Sequence, residues 1–452
     1  MRPSPLTEVF SPGACLPPAE LWTAFAAEPG CVFLDSSLPS ASARHSVLAC
    51  RPALVLRAEN HGVTLTHADG TVETYPKANP IPLLKGLLDA RATHPLPGLP
   101  FSGAAIGYLG YEYGAALDGI APRSPDNLGL PGLAFGFYDA FAVHDHLAAT
   151  TTLVAPDTTG LQALRDLVAS SPRPLAPCTV GPLTPELSRA AYAASLERIR
   201  AYIAAGDSYQ VNFTHRFTAP FSGSAATLYE RLRTLNPAPH SAYLDFGDFQ
   251  LVSSTPERLL RVSGDRLETR PIKGTVPRLT DPAADAAQRA ALLASAKDQA
   301  ELLMIVDLAR NDLGRVAVPG SVHVTARHDL ETYATVHHLV ATVEAALAPG
   351  RDRFDALRAL HPGGSITGAP KIRAMQIINE LEPVRRHAYT GALGWLGYDG
   401  GADLAIAIRT ITCARGLATY HVGGGITWDS DPDSEYEETL HKGRALHQTL
   451  NP

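Results

Sequence analysis

The sequence has 452 residues, 45% of them apolar and 18% charged, the balance of a chain that buries a large core and fills one large or two ordinary domains. A net charge of −7 leaves no basic footprint for nucleic acid, and neither a run of 18 apolar residues nor a basic-then-apolar leader points to a membrane or to export. Cys15, Cys31, Cys50, Cys178 and Cys413 are scattered with no CxxC pair, which argues against a disulfide framework or a zinc site and makes the cytoplasm the expected location.

Along the chain, residues 30–150 hold short apolar runs broken by Gly and Pro, among them Cys31–Leu34, Ser46–Cys50 and Ala104–Leu109. These read as strands joined by turns. Ser170–Thr184 is rich in Pro, Ser and Thr and reads as a linker. The expected division is therefore a strand-rich N-terminal subdomain over 1–169, a linker over 170–187 and a larger mixed domain over 188–452. In that domain Ser188 is placed to cap a helix whose Tyr192, Leu196, Ile199 and Ile203 recur at helical spacing. Gly206 and Asp207 end it, and the following YQVNFTHRF alternates like a strand. Residues 282–313 read as one long helical region, and the chain closes on a helix from Glu435.

Several residues in this domain carry potential chemistry. Asp298 and Glu301 lie three apart, as do Glu435 and Glu438, so each pair shares one helix face. Four carboxylates on facing helices need a cation, and all-oxygen ligands without an ExxH histidine suit Mg²⁺ rather than iron. Lys273, between Pro-Ile and Gly-Thr, becomes a nucleophile if a desolvated pocket lowers its pKa. Glu257 closes the apolar run LVSSTPE and can act as a general acid if burial raises its pKa. Arg409 ends the apolar run LAIAIR, where a bidentate carboxylate is its natural partner. The loops GGSITGAPK and GGG lack the GK[ST] and GxGxxG signatures but offer backbone amides to an anion. Each has an ordinary alternative: solvated acidic faces with Glu438 and Lys442 as an i,i+4 pair, an exposed turn lysine, or a Glu257 paired with Arg258 or Arg261.

Taken in order, PIKGT, KDQAELLMIVDLARNDLGRV, TVHHLVATV, HPGGSITGAPK, AIRT, GGGI and EYEET resemble the chorismate-utilising enzymes. That family comprises anthranilate synthase and aminodeoxychorismate synthase large subunits, isochorismate synthases and salicylate synthases. FLDSS, HSVLACRP and IGYLGYEYG extend the likeness toward the N-terminus. The resemblance implies an α+β (mixed α/β) fold like that of the anthranilate synthase large subunit, with two packed β-sheets and surrounding helices, and makes 188–452 the chorismate-binding catalytic domain. By the same resemblance Glu301 and Glu438 match direct Mg²⁺ ligands, and Asp298 and Glu435 match partners acting largely through water. Glu257 matches the acid that protonates the departing C4 hydroxyl. Thr275, Tyr389, Arg409 and the amides around Gly423 and Gly425 match positions holding the substrate carboxylates. Gly274, Thr367, His338 and Lys442 match further active-site positions.

Two positions sort the members. Where isochorismate and salicylate synthases resemble one another in a water-activating lysine, this chain has Gln210, which implies ammonia as nucleophile. Anthranilate synthases look like PIAGT where this chain has PIKGT, as aminodeoxychorismate synthases do. The expected reaction is therefore chorismate plus ammonia to 4-amino-4-deoxychorismate through a covalent Lys273 intermediate, feeding 4-aminobenzoate and folate synthesis; the alternatives are an anthranilate synthase component I and, from another class, a non-catalytic subunit that binds chorismate or an amino acid. No cysteine has a GxCxG setting, so the resemblance implies a heterodimer with a glutamine amidotransferase that supplies the ammonia. GGGITWDS, with bulky Trp428, and NPAPHSAY, with His240, depart from the usual family patterns. Ser36 in FLDSS is a possible wall of an amino-acid pocket.

Overall fold

The apolar runs of the N-terminal third form strands at Val32–Asp35, His45–Ala49 and Ala104–Leu109 in the computed structural model, which describes residues 3–40, 42–59, 61–333 and 336–451. Among the described residues two antiparallel sheets, of 13 and 12 strands, carry the chain. The first runs from Leu6–Phe10 through Thr150–Ala155, Phe141–Asp145, His45–Ala49 and Val32–Asp35. It continues into His240–Asp245, Phe249–Thr255, Thr410–Ala414, Leu417–Ile426 and Gln210–Gly223. The second starts at the edge strand Ile272–Pro277. It passes through Val336–Ala346, Arg266–Arg270, Arg258–Ser263, Ala402–Ile406 and Ala392–Gly397 to Ala104–Leu109 and Leu133–Tyr138.

Both sheets cross the division expected at 170–187. Phe33 pairs with Tyr243 in the first sheet, and Ile106 with Trp395 in the second. The segment 170–187 is itself laced into the first sheet, because Cys178–Val180 and Thr184–Pro185 pair with Gln210–Gly223.

The sheets pack face to face through one apolar layer. Val32, Val143, Leu244 and Leu251 of the first sheet meet Ile106, Ala134 and Leu393 of the second. Helices Pro18–Phe25, Thr158–Ala169, Ala225–Leu235 and Pro432–Leu450 bury Trp22, Leu164, Leu228 and Leu446 on a core of the first sheet. Helices Pro80–Asp89, Arg189–Ala204, Ala296–Gly314 and Lys371–Leu381 contribute Leu84, Leu196, Leu302 and Met375 to a third core. This is the α+β arrangement of two sheets within a coat of helices.

Two local features shape the site. The region 282–313 is not one helix: Pro282–Ala294 ends at Ser295, whose backbone is extended, and Ala296–Gly314 starts afresh. The Ser295 hydroxyl accepts from the Asp298 amide at 3.2 Å and so caps the second helix. The periodicity of alanine and leucine through 290–296 hid this break. In Gln210–Gly223, Val211 and Phe213 join the apolar core, while the alternate Gln210, Asn212, Thr214 and Arg216 are buried polar side chains. An interior strand face lined with polar groups points to a site that handles polar ligands. Among the described residues no helix is long and apolar enough to cross a membrane, and the five cysteines are free.

Candidate active site

Lys273 sits on the edge strand Ile272–Pro277, where Gly274 (φ +68°) shifts the pairing with Val336–Ala346. Its side chain is half-buried. Burial lowers its pKa, with Lys442 acting the same way, while Glu301, Glu257 and Glu438 oppose them. Three carboxylates, two on separate helices and one just past a strand, are therefore near enough to act on one amine. The amine also stands beside Gln210 and Gly425: a Cβ placed on Gly425 would lie 2.2 Å from Gln210 Nε2 and 3.2 Å from Lys273 Nζ. Gln210 is fully buried, and among the described residues neither polar atom of its carboxamide has a hydrogen-bond partner.

Glu257 follows the strand Phe249–Thr255 and is 4% exposed. Burial lifts its pKa to about 7, against the smaller pull of Ser365, the Ile272 amide and Lys273. A carboxyl of that pKa holds and releases a proton near neutrality. Ser365, in the GGSITGAPK loop, had no role assigned from sequence; a hydroxyl in a loop predicted only to offer amides was the available signal.

The acidic pairs lie on two helices, Ala296–Gly314 and Pro432–Leu450, and Glu301 of one and Glu438 of the other both act on Lys273. Glu301 stands 4.0 Å from Lys297 on Ala296–Gly314. On Pro432–Leu450, Glu438 pairs with Lys442 at 2.7 Å, and Lys442 also donates to the Gly423 carbonyl at 3.2 Å. Lys442 chiefly lowers the Glu438 pKa, and Lys297 adds to this from the other helix. Glu435 is buried and accepts from Ser430 at 2.7 Å, and burial raises its pKa. Asp298 lies against Gly274, where a Cβ would come within 3.1 Å of its carboxylate. Among the described residues no three His, Cys, Asp or Glu side chains converge closely enough to hold an ion by themselves.

Three of the positions expected to hold a substrate carboxylate, Thr275, His338 and Arg409, lie together. Thr275 Oγ1 and His338 Nδ1 are 2.8 Å apart, and His338 Nε2 lies 3.5 Å from an Arg409 nitrogen. Arg409 takes a left-handed backbone (φ 49°) after Ala402–Ile406, a conformation that costs a non-glycine residue on the order of 1 kcal/mol. Burial lowers its pKa, and among the described residues no carboxylate pairs with it. Burial, with Arg409 next, also drives the His338 pKa well down, so that imidazole is neutral. A half-buried guanidinium beside a neutral imidazole is set to receive an anion.

Of the other expected positions, Tyr389 is buried and stacks on His421 at 4.9 Å, and burial raises its pKa. Thr367 is fully buried, and its hydroxyl donates to the Gly363 carbonyl at 2.8 Å, so it shapes the loop. Gly423 lies too close to Phe213 and Thr214 to carry a side chain. Ser36 lines a separate cavity of about 520 Å³ together with His240, Arg258 and Asp403, and its hydroxyl donates to the His45 carbonyl at 2.8 Å.

This fold and motif order belong to one class: the chain is a member of the chorismate binding enzyme family, whose sequence profile matches residues 40–448. It is 40% identical over 412 residues to aminodeoxychorismate synthase component 1 of Salmonella typhimurium, covering 90% of both chains. It is 43% identical over 356 residues to anthranilate synthase component 1 of Thermus thermophilus, covering 77% of both. Among solved structures, anthranilate synthase component I from Streptococcus pneumoniae superposes with a TM-score of 0.79 at 32% identity, covering 90% of this chain and 93% of that one.

Proposed function

We propose that this chorismate-utilising enzyme replaces the C4 hydroxyl of chorismate with ammonia, giving 4-amino-4-deoxychorismate, and that Lys273 is the covalent nucleophile. The two kinds of relative are about equally similar overall, so the choice between them rests on position 273. The observation that carries it is the half-buried Lys273 amine, its pKa lowered by burial, beside the Glu257 acid.

In this reading the neutral Lys273 amine bonds to C2 as Glu257 gives its proton to the C4 hydroxyl, which leaves as water. Ammonia then bonds to C4, the C2–N bond breaks, and its electron pair returns to Lys273. The Glu257 carboxylate takes back a proton from the new ammonium group. Arg409, with Thr275 and His338, holds one substrate carboxylate. Glu301 and Glu438, which both act on Lys273, offer oxygen donors only, a set that suits Mg²⁺, which keeps water and substrate oxygens beside one or two protein carboxylates. When bound there, Mg²⁺ would hold the other substrate carboxylate and offset its charge. The relatives' designation as component 1 supports a second subunit, and we place a glutamine amidotransferase in that role. We assign the enzyme to the cytoplasm and to 4-aminobenzoate and folate synthesis.

The test is product identity. The purified protein receives chorismate, Mg²⁺ and an ammonium salt, and the product is followed by mass, ultraviolet spectrum and conversion by a lyase to 4-aminobenzoate. Fluorescent anthranilate with released pyruvate would overturn the assignment. Lys273→Ala is expected to lose the C4-amino product at least a hundred-fold while still binding chorismate, as measured by calorimetry.

A further inference from the structure

The strand that carries Lys273 needs an anchor beyond its sheet hydrogen bonds. Ile272–Pro277 is an edge strand, so it has a ladder on one side only, and Gly274 breaks that ladder's register next to the amine. Behind it stands an interior polar chain that the reaction itself does not use. His337 is fully buried and lies directly across from Val276, three residues from Lys273. Its Nε2 lies 2.9 Å from Asp285 Oδ1, and its Nδ1 lies 2.9 Å from Thr332 Oγ1. Asp285 belongs to the helix Pro282–Ala294 and also accepts from the Leu279 amide at 2.9 Å and from Arg278 Nε at 3.1 Å. Arg278 in turn donates to the Tyr333 carbonyl at 3.2 Å.

We propose that Asp285 and His337 form a positioning clamp that fixes the aim of Lys273. This inference rests on the reading of Lys273 as the nucleophile. Asp285 is ionised and can only accept, so His337 Nε2 carries a proton and donates it. The ring's Nδ1 meets the Thr332 hydroxyl at 2.9 Å. One imidazole thereby ties the helix, the strand His323–Thr332 and its own strand together. Asp285 reaches the two residues just past Pro277 and pins the trailing end of the lysine strand. The next residue, His338, is directed to Thr275 and Arg409, so the clamp and the positions expected to hold a substrate carboxylate share a backbone. A displacement of about 1 Å at a reacting group can cost on the order of a hundred-fold in rate. A clamp three residues from the amine acts within that range.

The test uses the full-length chain with His337→Phe, His337→Gln and Asp285→Asn. Three quantities are measured: kcat and KM for chorismate with ammonium, the rate at which an amine-reactive acylating probe labels Lys273 by peptide mapping, and the thermal midpoint. His337→Phe and Asp285→Asn are expected to lower kcat ten- to hundred-fold with KM within about three-fold, and to change the Lys273 labelling rate by more than five-fold. His337→Gln keeps a donor to Asp285 and is expected to recover most of both. A purely structural pair would lower the midpoint and leave kcat and labelling at wild-type values, and that result overturns the clamp. If His337→Phe does not fold, the near-isosteric Asp285→Asn decides. Should Lys273→Ala still make the product while the clamp variants alter Lys273 labelling, the nucleophile assignment fails and the clamp stands.

Discussion

At the scale of single residues, the site is defined by groups held away from their ordinary ionisation. Glu257 is neutral below about pH 7 because burial penalises its charge. Its proton donation is therefore present below that pH and fades above it, which sets an alkaline limb on kcat/KM. The same shift has a stability consequence of defined sign. The folded pKa lies above the ordinary 4.5, so the stabilisation is complete below about pH 4.5 and is lost as pH rises through about 7. Glu257→Gln is expected to remove the alkaline limb, lower kcat/KM by about 10²–10⁴-fold and flatten the stability profile between those two pH values. Rate profiles and urea midpoints across pH check both. Gln210 gives a second case. Its buried carboxamide has no partner among the described residues, and such a group costs stability on the order of 1–3 kcal/mol. Gln210→Leu is expected to leave the urea midpoint unchanged or raised, while ammonia-dependent turnover falls by roughly ten-fold, one hydrogen bond's worth. A variant both less stable and fully active would mean the amide serves the fold.

At the scale of elements, most of what could be read in advance came from periodicity and caps. Ser188 does cap Arg189–Ala204, accepting from the Ala191 amide at 3.2 Å. The strand at YQVNFTHRF and the C-terminal helix are also present. The break at Ser295 was not foreseen, because Ser-x-x-Asp lies inside a continuous run of helix-forming residues and a cap reads only against a gap in the pattern. The spacing of Asp298 with Glu301 and of Glu435 with Glu438 put each pair on one helix face. That Glu301 and Glu438 both come near enough to act on Lys273 follows from the tertiary fold, which no local pattern encodes. The orphaned amide of Gln210 and the Asp285–His337 link were beyond reach for the same reason. Ser295 offers a direct test. Ser295→Ala removes the cap that starts the Asp298–Glu301 helix and is expected to cost about 1 kcal/mol. Its effect should centre on the first turn, so if the proposed Mg²⁺ site includes Glu301 the Mg²⁺ concentration for half-maximal rate should rise while KM for chorismate changes less. Titration of activity against Mg²⁺ and a urea midpoint measure the two effects.

At the scale of the whole molecule, the composition of residues 170–187 suggests a tether, but the first sheet takes strands from it and both sheets pair strands from either side of it. His240–Asp245 has Val32–Asp35 as its neighbour, and Ala392–Gly397 has Ala104–Leu109. Removing residues 1–187 would strip a partner strand from each sheet and open the apolar layer where Val32, Ile106 and Val143 meet Leu244, Leu251 and Leu393. Two new strand edges bordering exposed apolar surface are a template for aggregation. Residues 188–452 carry nearly all the site groups, including Lys273, Glu257, Glu301, Arg409 and Glu438. Even so, the fragment expressed alone is expected to aggregate and to bind no chorismate. Co-expression with residues 1–187 should recover soluble, active protein, because the missing strands can pair from a separate chain. A monomeric 188–452 fragment that unfolds cooperatively in urea would show that the catalytic half carries its own core and that the shared sheets are dispensable. The expected outcome places the unit of stability across the composition boundary, so that the strand carrying Lys273 depends for its rigidity on a sheet completed by residues more than a hundred positions away.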